Sequence, residues 1–183
     1  NWFGTNDVGH PGLNDLLSRG DMILSGKPFL VGKNTSSYRS EYELSPKQSR
    51  SLFHAHGWHK IIGFHTRNIP HKGHEHIQKT ALDRVDGDCL FISPVMGIKK
   101  TGDFKSDIIV KCYNALINSG TYEPYPVVIG GFNTYSRYCG PREAVFTAIC
   151  RKNFGCSHFI IGRDHTGVAD YYKPHEAQTL FDT

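Results

Sequence analysis

Lys60-Ile61-Ile62-Gly63-Phe64-His65-Thr66-Arg67-Asn68-Ile69-Pro70-His71-Lys72-Gly73-His74-Glu75 reads as a short apolar strand, a polar turn and the start of a helix. Inside the turn lies His-x-Gly-His, two imidazoles around a glycine. A helix N-terminus offers unpaired N–H groups and a partial positive charge. Such a turn suits the phosphates of a nucleotide. Gly73 lets a ligand approach the backbone closely. The imidazoles and Arg67 add donors aimed at phosphate oxygens.

Outward from this stretch the pattern alternates. A strand at 60–64 is followed by a helix at about 73–84 and a second strand at 88–94 containing Cys-Leu-Phe-Ile. A helix at about 103–119 carries Ile108, Ile109, Cys112, Tyr113 and Leu116 at helical spacing. A third strand at 125–130, a helix from 141 to about 153 opened by Pro141, and a fourth strand at 158–162 complete the series. Buried strands alternating with helices predict an α/β fold, a doubly wound parallel sheet of the Rossmann-like type with right-handed crossovers. Ligands in such sheets sit at the carboxyl ends of the strands. The segments 65–74, 94–100, 130–137 and 162–167 should therefore line one rim.

Residues 1–57 differ in character, being rich in Gly, Ser, Asn and aromatics, and are expected to form a small α+β segment ahead of the unit at 58–183. His10-Pro11-Gly12 suggests a turn and 14–18 a short helix, while 21–31 reads as one or two strands interrupted by Gly26 and Pro28. Ser45-Pro46-Lys47-Gln48 has N-cap chemistry, so a helix should follow and end near Gly57, with Leu52 and Phe53 on its buried face. Trp2 and Trp58 are expected in the core.

The 183 residues suffice for one core and part of a second. A net charge of +4 with no lysine or arginine block fits small anionic ligands better than nucleic acid. No apolar run approaches membrane-spanning length, and no signal-peptide pattern is visible. The five cysteines, Cys89, Cys112, Cys139, Cys150 and Cys156, are scattered and never form Cys-x-x-Cys. They read as small core hydrophobes in a reducing, cytoplasmic setting.

Four loops hold the groups that could do chemistry. The first supplies His65, Arg67, Asn68, His71 and His74; the second, Lys99 and Lys100; the third and its flank, Arg137, Arg142 and Glu143; the fourth, Gly162-Arg163-Asp164-His165-Thr166-Gly167. Cations and hydrogen-bond donors dominate, and no nucleophile is paired with a base. That set suits electrostatic stabilisation of an in-line displacement at phosphorus. Bland readings stand beside it. Arg163-Asp164 could be a local ion pair, Lys99-Lys100 a solvated pair and Arg142-Glu143 a helix-end salt bridge. His71 and His74 could be half a zinc site, but no second cluster has ligand spacing. His54, His56 and His59 read as surface or packing residues.

His65-Thr66-Arg67-Asn68-Ile69-Pro70-His71-Lys72-Gly73-His74 resembles the Gln-Thr-Arg-Asn-x-x-His-x-Gly-His of the ATP sulfurylase (sulfate adenylyltransferase) family. Gly162-Arg163-Asp164-His165-Thr166-Gly167 is similar to that family's Gly-Arg-Asp-His-Ala-Gly. His10-Pro11-Gly12, Gly57-Trp58, Gly102-Asp103, Gly140-Pro141-Arg142-Glu143-Ala144, Arg151-Lys152-Asn153-Phe154-Gly155 and Ala177-Gln178-x-Leu180-Phe181 extend the likeness over nearly the whole chain. The resemblance implies an adenylyltransferase that makes adenosine 5′-phosphosulfate and pyrophosphate from ATP and sulfate, with Mg²⁺ carried by the nucleotide and no protein metal ligand. It implies that Arg67 binds the oxyanion and that Thr66 and Asn68 hold the reacting phosphates. His71 and His74 would grip the β- and γ-phosphates. Phe64, His65, Gly73, Gly162, Arg163, Asp164 and His165 would contact the nucleotide, with His65, Arg67 and Thr166 at the acceptor end and Lys100 near the phosphates. It also implies that 1–57 is the tail of a larger N-terminal domain and 58–183 the catalytic domain, within a homo-oligomer or a longer protein.

Two departures fall at the acceptor end, where His65 replaces the family's Gln and Thr166 its Ala. A cationic His65 would favour a dianionic phosphate or phosphonate over sulfate. Ile109, where many relatives carry arginine, removes another cation. Three readings are therefore open: sulfate adenylyltransferase, a nucleotidyltransferase using ATP or CTP for another oxyanion, and a non-catalytic nucleotide- or anion-binding module.

Overall fold

The central strand of the sheet, Ile61–Thr66, is buried at five of its six residues, which requires cover on both faces. A computed structural model shows how that cover is supplied, and it describes residues 2–29, 31, 41–99 and 101–182. Along the chain come α1 (Pro11–Ser18), α2 (Pro46–Ala55), β1 (Ile61–Thr66), α3 (Lys72–Val85), β2 (Cys89–Pro94), α4 (Ser106–Asn118), β3 (Val127–Ile129), α5 (Pro141–Phe154), β4 (His158–Phe159) and α6 (Glu176–Thr179). The strands lie in the order β3-β2-β1-β4, all parallel. β1 and β2 pair over six residues, Ile61 against Cys89 through Thr66 against Pro94.

The side-chain period of two splits β1 between two cores. Ile62 and Phe64 join Leu82 of α3, Ile109 and Tyr113 of α4, and Leu90 and Ile92 of β2. Ile61 joins Phe53 of α2, Phe154 of α5, and Cys89 and Phe91 of β2 on the other face. Helices thus cover both faces, as the doubly wound reading requires. Each fully buried Ile or Leu here contributes about 1.5–3 kcal/mol relative to exposure. Ile109 is one of these core residues, with no exposure, so its position adds nothing to the rim.

Helix ends follow local chemistry. Ser45 and Gln48 form a reciprocal capping box at α2, with Ser45 N–H donating to Gln48 Oε1 at 2.9 Å. Pro141 starts α5 and Gly155, at φ 102°, ends it. Helix α1 begins at Pro11, earlier than its sequence suggests, because His10 caps it: His10 Nδ1 accepts from Leu13 N–H at 3.2 Å. Its other ring nitrogen donates to the Tyr138 carbonyl at 2.9 Å and so ties α1 to the loop before α5.

The strands expected at 21–31 do not form among the described residues there. Met22, Ile23 and Leu24 are 85–96% exposed and find no strand to pair with, and Gly26 and Pro28 interrupt any continuation. Trp2 is likewise not core, at 42% exposure. Trp58 is partly buried and stacks on His56 with ring centroids 4.4 Å apart. All five cysteines are free thiols. No helix among the described residues is long and apolar enough to cross a membrane.

Two glycines permit the closest backbone approaches around the rim. A Cβ on Gly12 would lie 2.0 Å from the Arg137 carbonyl oxygen, and one on Gly97 would lie 2.0 Å from that of Thr134. Both obstacles are backbone, so neither can swing aside. Gly97→Ala is expected to destabilise the protein by about 1–3 kcal/mol, the usual cost of overpacking. Urea denaturation of the two proteins measures it, and an unchanged midpoint would show that the loop yields freely.

Candidate active site

In the order β3-β2-β1-β4 the chain runs outward from β1 through β2 to β3, then returns to the opposite side of β1 as β4. The crevice between the carboxyl ends of β1 and β4 is the topological switch point, where such sheets bind ligands. A cavity of about 400 Å³ opens there. Its walls come from the first and fourth loops: Phe64, His65, Thr66, Arg67, Asn68, His71, Gly73 and His74 on one side, Gly162 to Thr166 on the other. Ile77, Ser136 and Ile160 fill the gaps.

The turn after β1 is closed by Thr66. Its hydroxyl accepts from Asn68 N–H and donates to the Asn68 carbonyl, both at 3.1 Å. This local pair forces the chain out of the strand and sets Arg67 and Asn68 on the rim. Arg67 Nη1 reaches Asp103 Oδ1 at 3.5 Å, and its guanidinium lies 5.3 Å from the centre of the Tyr138 ring. Asp103, at the end of the loop before α4, therefore orients Arg67.

His71 is the N-cap of α3. Its Nδ1 accepts from the N–H groups of Gly73 (3.1 Å) and His74 (3.4 Å). That fixes the neutral tautomer, leaving Nε2 to carry the ring proton as a donor. The glycine has a steric reason: a Cβ on Gly73 would press on the His71 ring at 3.0–3.1 Å. His74 stacks on His71 with centroids 3.8 Å apart and meets Phe64 edge-on. Burial, then the neighbouring His71, lowers the His74 pKa to about 4, against a hydrogen bond to the Ile69 backbone that raises it. At neutral pH His74 is therefore uncharged, and the helix end and Arg67 supply the positive potential.

His65 points to the α5 side of the sheet. Burial is the main reason that its pKa lies well below the ordinary imidazole range, followed by the charges of Arg151, His165 and Arg67. The second cation that its sequence position suggested does not form at neutral pH. The physical reason is that a proton there would be buried among existing positive charge. His165 is similar, with burial lowering its pKa to about 4. Thr147 gives its hydroxyl proton to helix carbonyls and so accepts from His165 Nε2 at 3.0 Å.

In the fourth loop, Arg163 forms a two-point ion pair with Asp164, at 2.9 and 2.8 Å, exposed on the rim. A Cβ on Gly162 would meet nothing within 4 Å, so the glycine leaves that wall open. Thr166 holds φ at 54°, a left-handed conformation that is costly for a β-branched residue.

Of the second and third loops, Ser136 of the third reaches the cavity, while the described charged residues turn elsewhere. Lys99 donates to the Phe104 carbonyl and lines a neighbouring groove with Arg137. Arg142 lines a separate groove beside Tyr171 and Tyr172. Glu143 is buried and accepts from the N–H groups of Arg137 and Cys139 at 2.9–3.1 Å, so it pins that loop. Lys100 lies outside the described residues. Among the described residues no group of three His, Cys, Asp or Glu side chains could hold a metal ion. Asp103 and the buried Arg151 lay in stretches that carry the resemblance, Gly102-Asp103 and Arg151-Lys152-Asn153-Phe154-Gly155, yet nothing in the sequence assigned either a part in the site.

A doubly wound parallel sheet with an imidazole- and arginine-lined crevice at its switch point defines an α/β protein of the Rossmann-like class. The APS kinase chain of a structure described as hexameric, from Thiobacillus denitrificans, shares this fold, with a TM-score of 0.59 and 21% identity over 72% of this chain and 26% of that one. The ATP-sulfurylase family model matches residues 40–183, and the chain belongs to that family. It is 46% identical over 181 residues to the sulfate adenylyltransferase of Pyrococcus abyssi, covering 98% of this chain and 46% of that protein. It is 44% identical over 183 residues to that of Microcystis aeruginosa, covering 100% and 46%. The chain spans about half the length of these curated relatives.

Three imidazoles, His65, His74 and His165, are held neutral by the fold. Unfolded imidazoles titrate near 6.5. Between about pH 6.5 and 4 the unfolded chain therefore binds protons that the folded chain does not, and stability falls as the pH falls. The urea midpoint is expected to drop across that window, and less steeply in His165→Gln. A midpoint independent of pH there would show that these imidazoles protonate freely in the folded state.

Proposed function

We propose that this chain carries the catalytic unit, residues 58–183, of an adenylyltransferase that joins ATP and sulfate into adenosine 5′-phosphosulfate and releases pyrophosphate. One observation carries the reading. Arg67, His71, Gly73 and His74 meet the Gly162–Thr166 loop in a single cavity at the switch point of the sheet. Relatives bearing the name sulfate adenylyltransferase match it along nearly its whole length.

The chemistry asks little of the protein beyond position and charge. A sulfate oxygen attacks the α-phosphorus in line, the bond to the bridging oxygen breaks, and pyrophosphate leaves with the electron pair. Arg67 would hold the acceptor oxyanion, oriented by Asp103. Thr66 and Asn68 would hold the reacting phosphate. The Nε2–H of His71, His74 and the first turn of α3 would receive the β- and γ-phosphates and the charge that develops on the leaving group. Gly162 and Asp164 would lie against the nucleoside, with Phe64, His65, Gly73 and His165 completing the nucleotide wall and Arg163 near the anions. Among the described residues lining the cavity the one carboxylate is Asp164, already paired with Arg163. A magnesium ion would therefore arrive as the counter-ion of the nucleotide's phosphates and neutralise their charge. Five free thiols suit a reducing, cytoplasmic setting.

Pyrophosphate release with ATP or CTP against sulfate, molybdate and phosphonates tests the reading, and release with ATP and sulfate is expected. Release with phosphonates alone would make His65 and Thr166 determinants of a different acceptor. His74→Ala should lower turnover by about 10² or more, whereas normal turnover would remove His74 from the reaction. Gly162→Ala should fold normally yet raise the KM for ATP, because the added methyl projects from an open cavity wall.

A further inference from the structure

Arg151 has no side-chain exposure to solvent. Its Nη1 donates to Ser93 Oγ, while Nε and Nη2 have no hydrogen-bond partner. The guanidinium lies 4.3 Å from the centre of the Phe132 ring and 4.8 Å from that of Phe154. Among the described residues no carboxylate forms an ion pair with it. A buried cation without a counter-ion is costly, so its presence calls for a role.

Its location supplies one. A Cβ on Gly63 would meet the Arg151 stem at 3.3–3.4 Å, so the stem runs across β1 where the strand has no side chain. Gly63 and His65 share that face of β1. Ser93, which receives the guanidinium, is the register partner of His65. Phe132, which the guanidinium also contacts, has its ring 6.2 Å from that of His65. The charge thus lies behind His65, on the side away from the cavity mouth.

We propose that Arg151 is a positioning residue for the acceptor end of the cavity: its buried guanidinium, set behind His65, acts on that imidazole through its charge and gives the floor a permanent positive charge for a tetrahedral oxyanion. The groups facing His65 are Arg151 from α5, His165 from the loop after β4 and Arg67 from its own loop, with uncharged Ser93 on β2. No acid among them could draw a proton onto His65. A neutral imidazole can donate one N–H to an oxyanion, as an amide would. An acceptor bound there offsets the cost of the lone guanidinium, which favours an anion over a neutral molecule at this end.

The role of Arg151 toward the acceptor rests on the oxyanion-transfer reading above; its effect on His65 does not. The test follows the His65 imidazole by NMR across pH, assigned by comparison with His65→Gln, in the full chain and in Arg151→Met and Arg151→Lys. The KM values for sulfate and ATP are measured in the same proteins. In Arg151→Met the His65 midpoint should rise, and the KM for sulfate should rise by about tenfold, a typical effect of one nearby charge. The KM for ATP should hold, and Arg151→Lys should restore much of both. An equal rise in both KM values would mark a purely structural residue and overturn the proposal. So would a His65 midpoint that Arg151→Met leaves unmoved. Should Arg151→Met fail to fold, the unaltered protein still decides, because a His65 midpoint in the ordinary imidazole range overturns the proposal. A moved midpoint in a protein that does not turn over sulfate would overturn the proposed reaction while supporting the Arg151–His65 coupling.

Discussion

Burial of β1 on both faces is the constraint from which the rest of the molecule follows. Ile62 and Phe64 face one core and Ile61 the other, so helices must cover each side. A chain that covers both sides of a parallel sheet has to reverse its direction of winding once, and that reversal places β4 beside β1. The crevice is therefore a product of topology before any side chain is chosen. The turn after β1 then fills it, since Thr66 and the His71 cap bend the backbone so that Arg67, His71 and His74 face the opening.

The electrostatics of that opening depend on where charge is withheld. Three imidazoles are neutral at the working pH because each is partly or wholly removed from water among other positive groups or beside another ring. The permanent charges are arginines at different depths: Arg163 exposed and paired with Asp164, Arg67 half-buried and oriented by Asp103, and Arg151 fully buried. Neutral donors suit a polyanion whose charge moves during reaction, because they donate without trapping it as a tight ion pair.

Much of this was legible in residues 60–75, because strand, turn and cap are local events. A short apolar run marks β1, and His-x-Gly-His marks a helix start whose glycine makes room for an imidazole cap. The four strands and their helices emerged from the same kind of pattern. Failures arose where local patterns met tertiary demands. The described residues of 21–31 had strand-like apolar content but pair with no strand among the described residues. Helix α1 starts early because a histidine, an unusual cap, is anchored from afar by Tyr138. Lys99 and Arg137, in loops after strands, and Arg142, in the first turn of α5, turn away from the cavity, since the position of a loop does not fix the direction of its side chains. Arg151 lies in the last turn of α5, where an arginine looks like a solvent-facing residue, and only the three-dimensional packing shows it buried under the site.

The crevice is also the seam of the sheet. β1 and β2 share six register pairs, whereas β1 and β4 share two. The wall formed by residues 162–166 meets β1 through that short pairing, while its other bonds run to α5 and the segments around it: His165 to Thr147, Gly140 N–H to the Thr166 carbonyl and His175 N–H to the Arg163 carbonyl. A molecule that touches both walls acts as an added fastener across the seam. Occupancy of the crevice and rigidity along the seam are thereby linked, because whatever binds only the closed arrangement stabilises it.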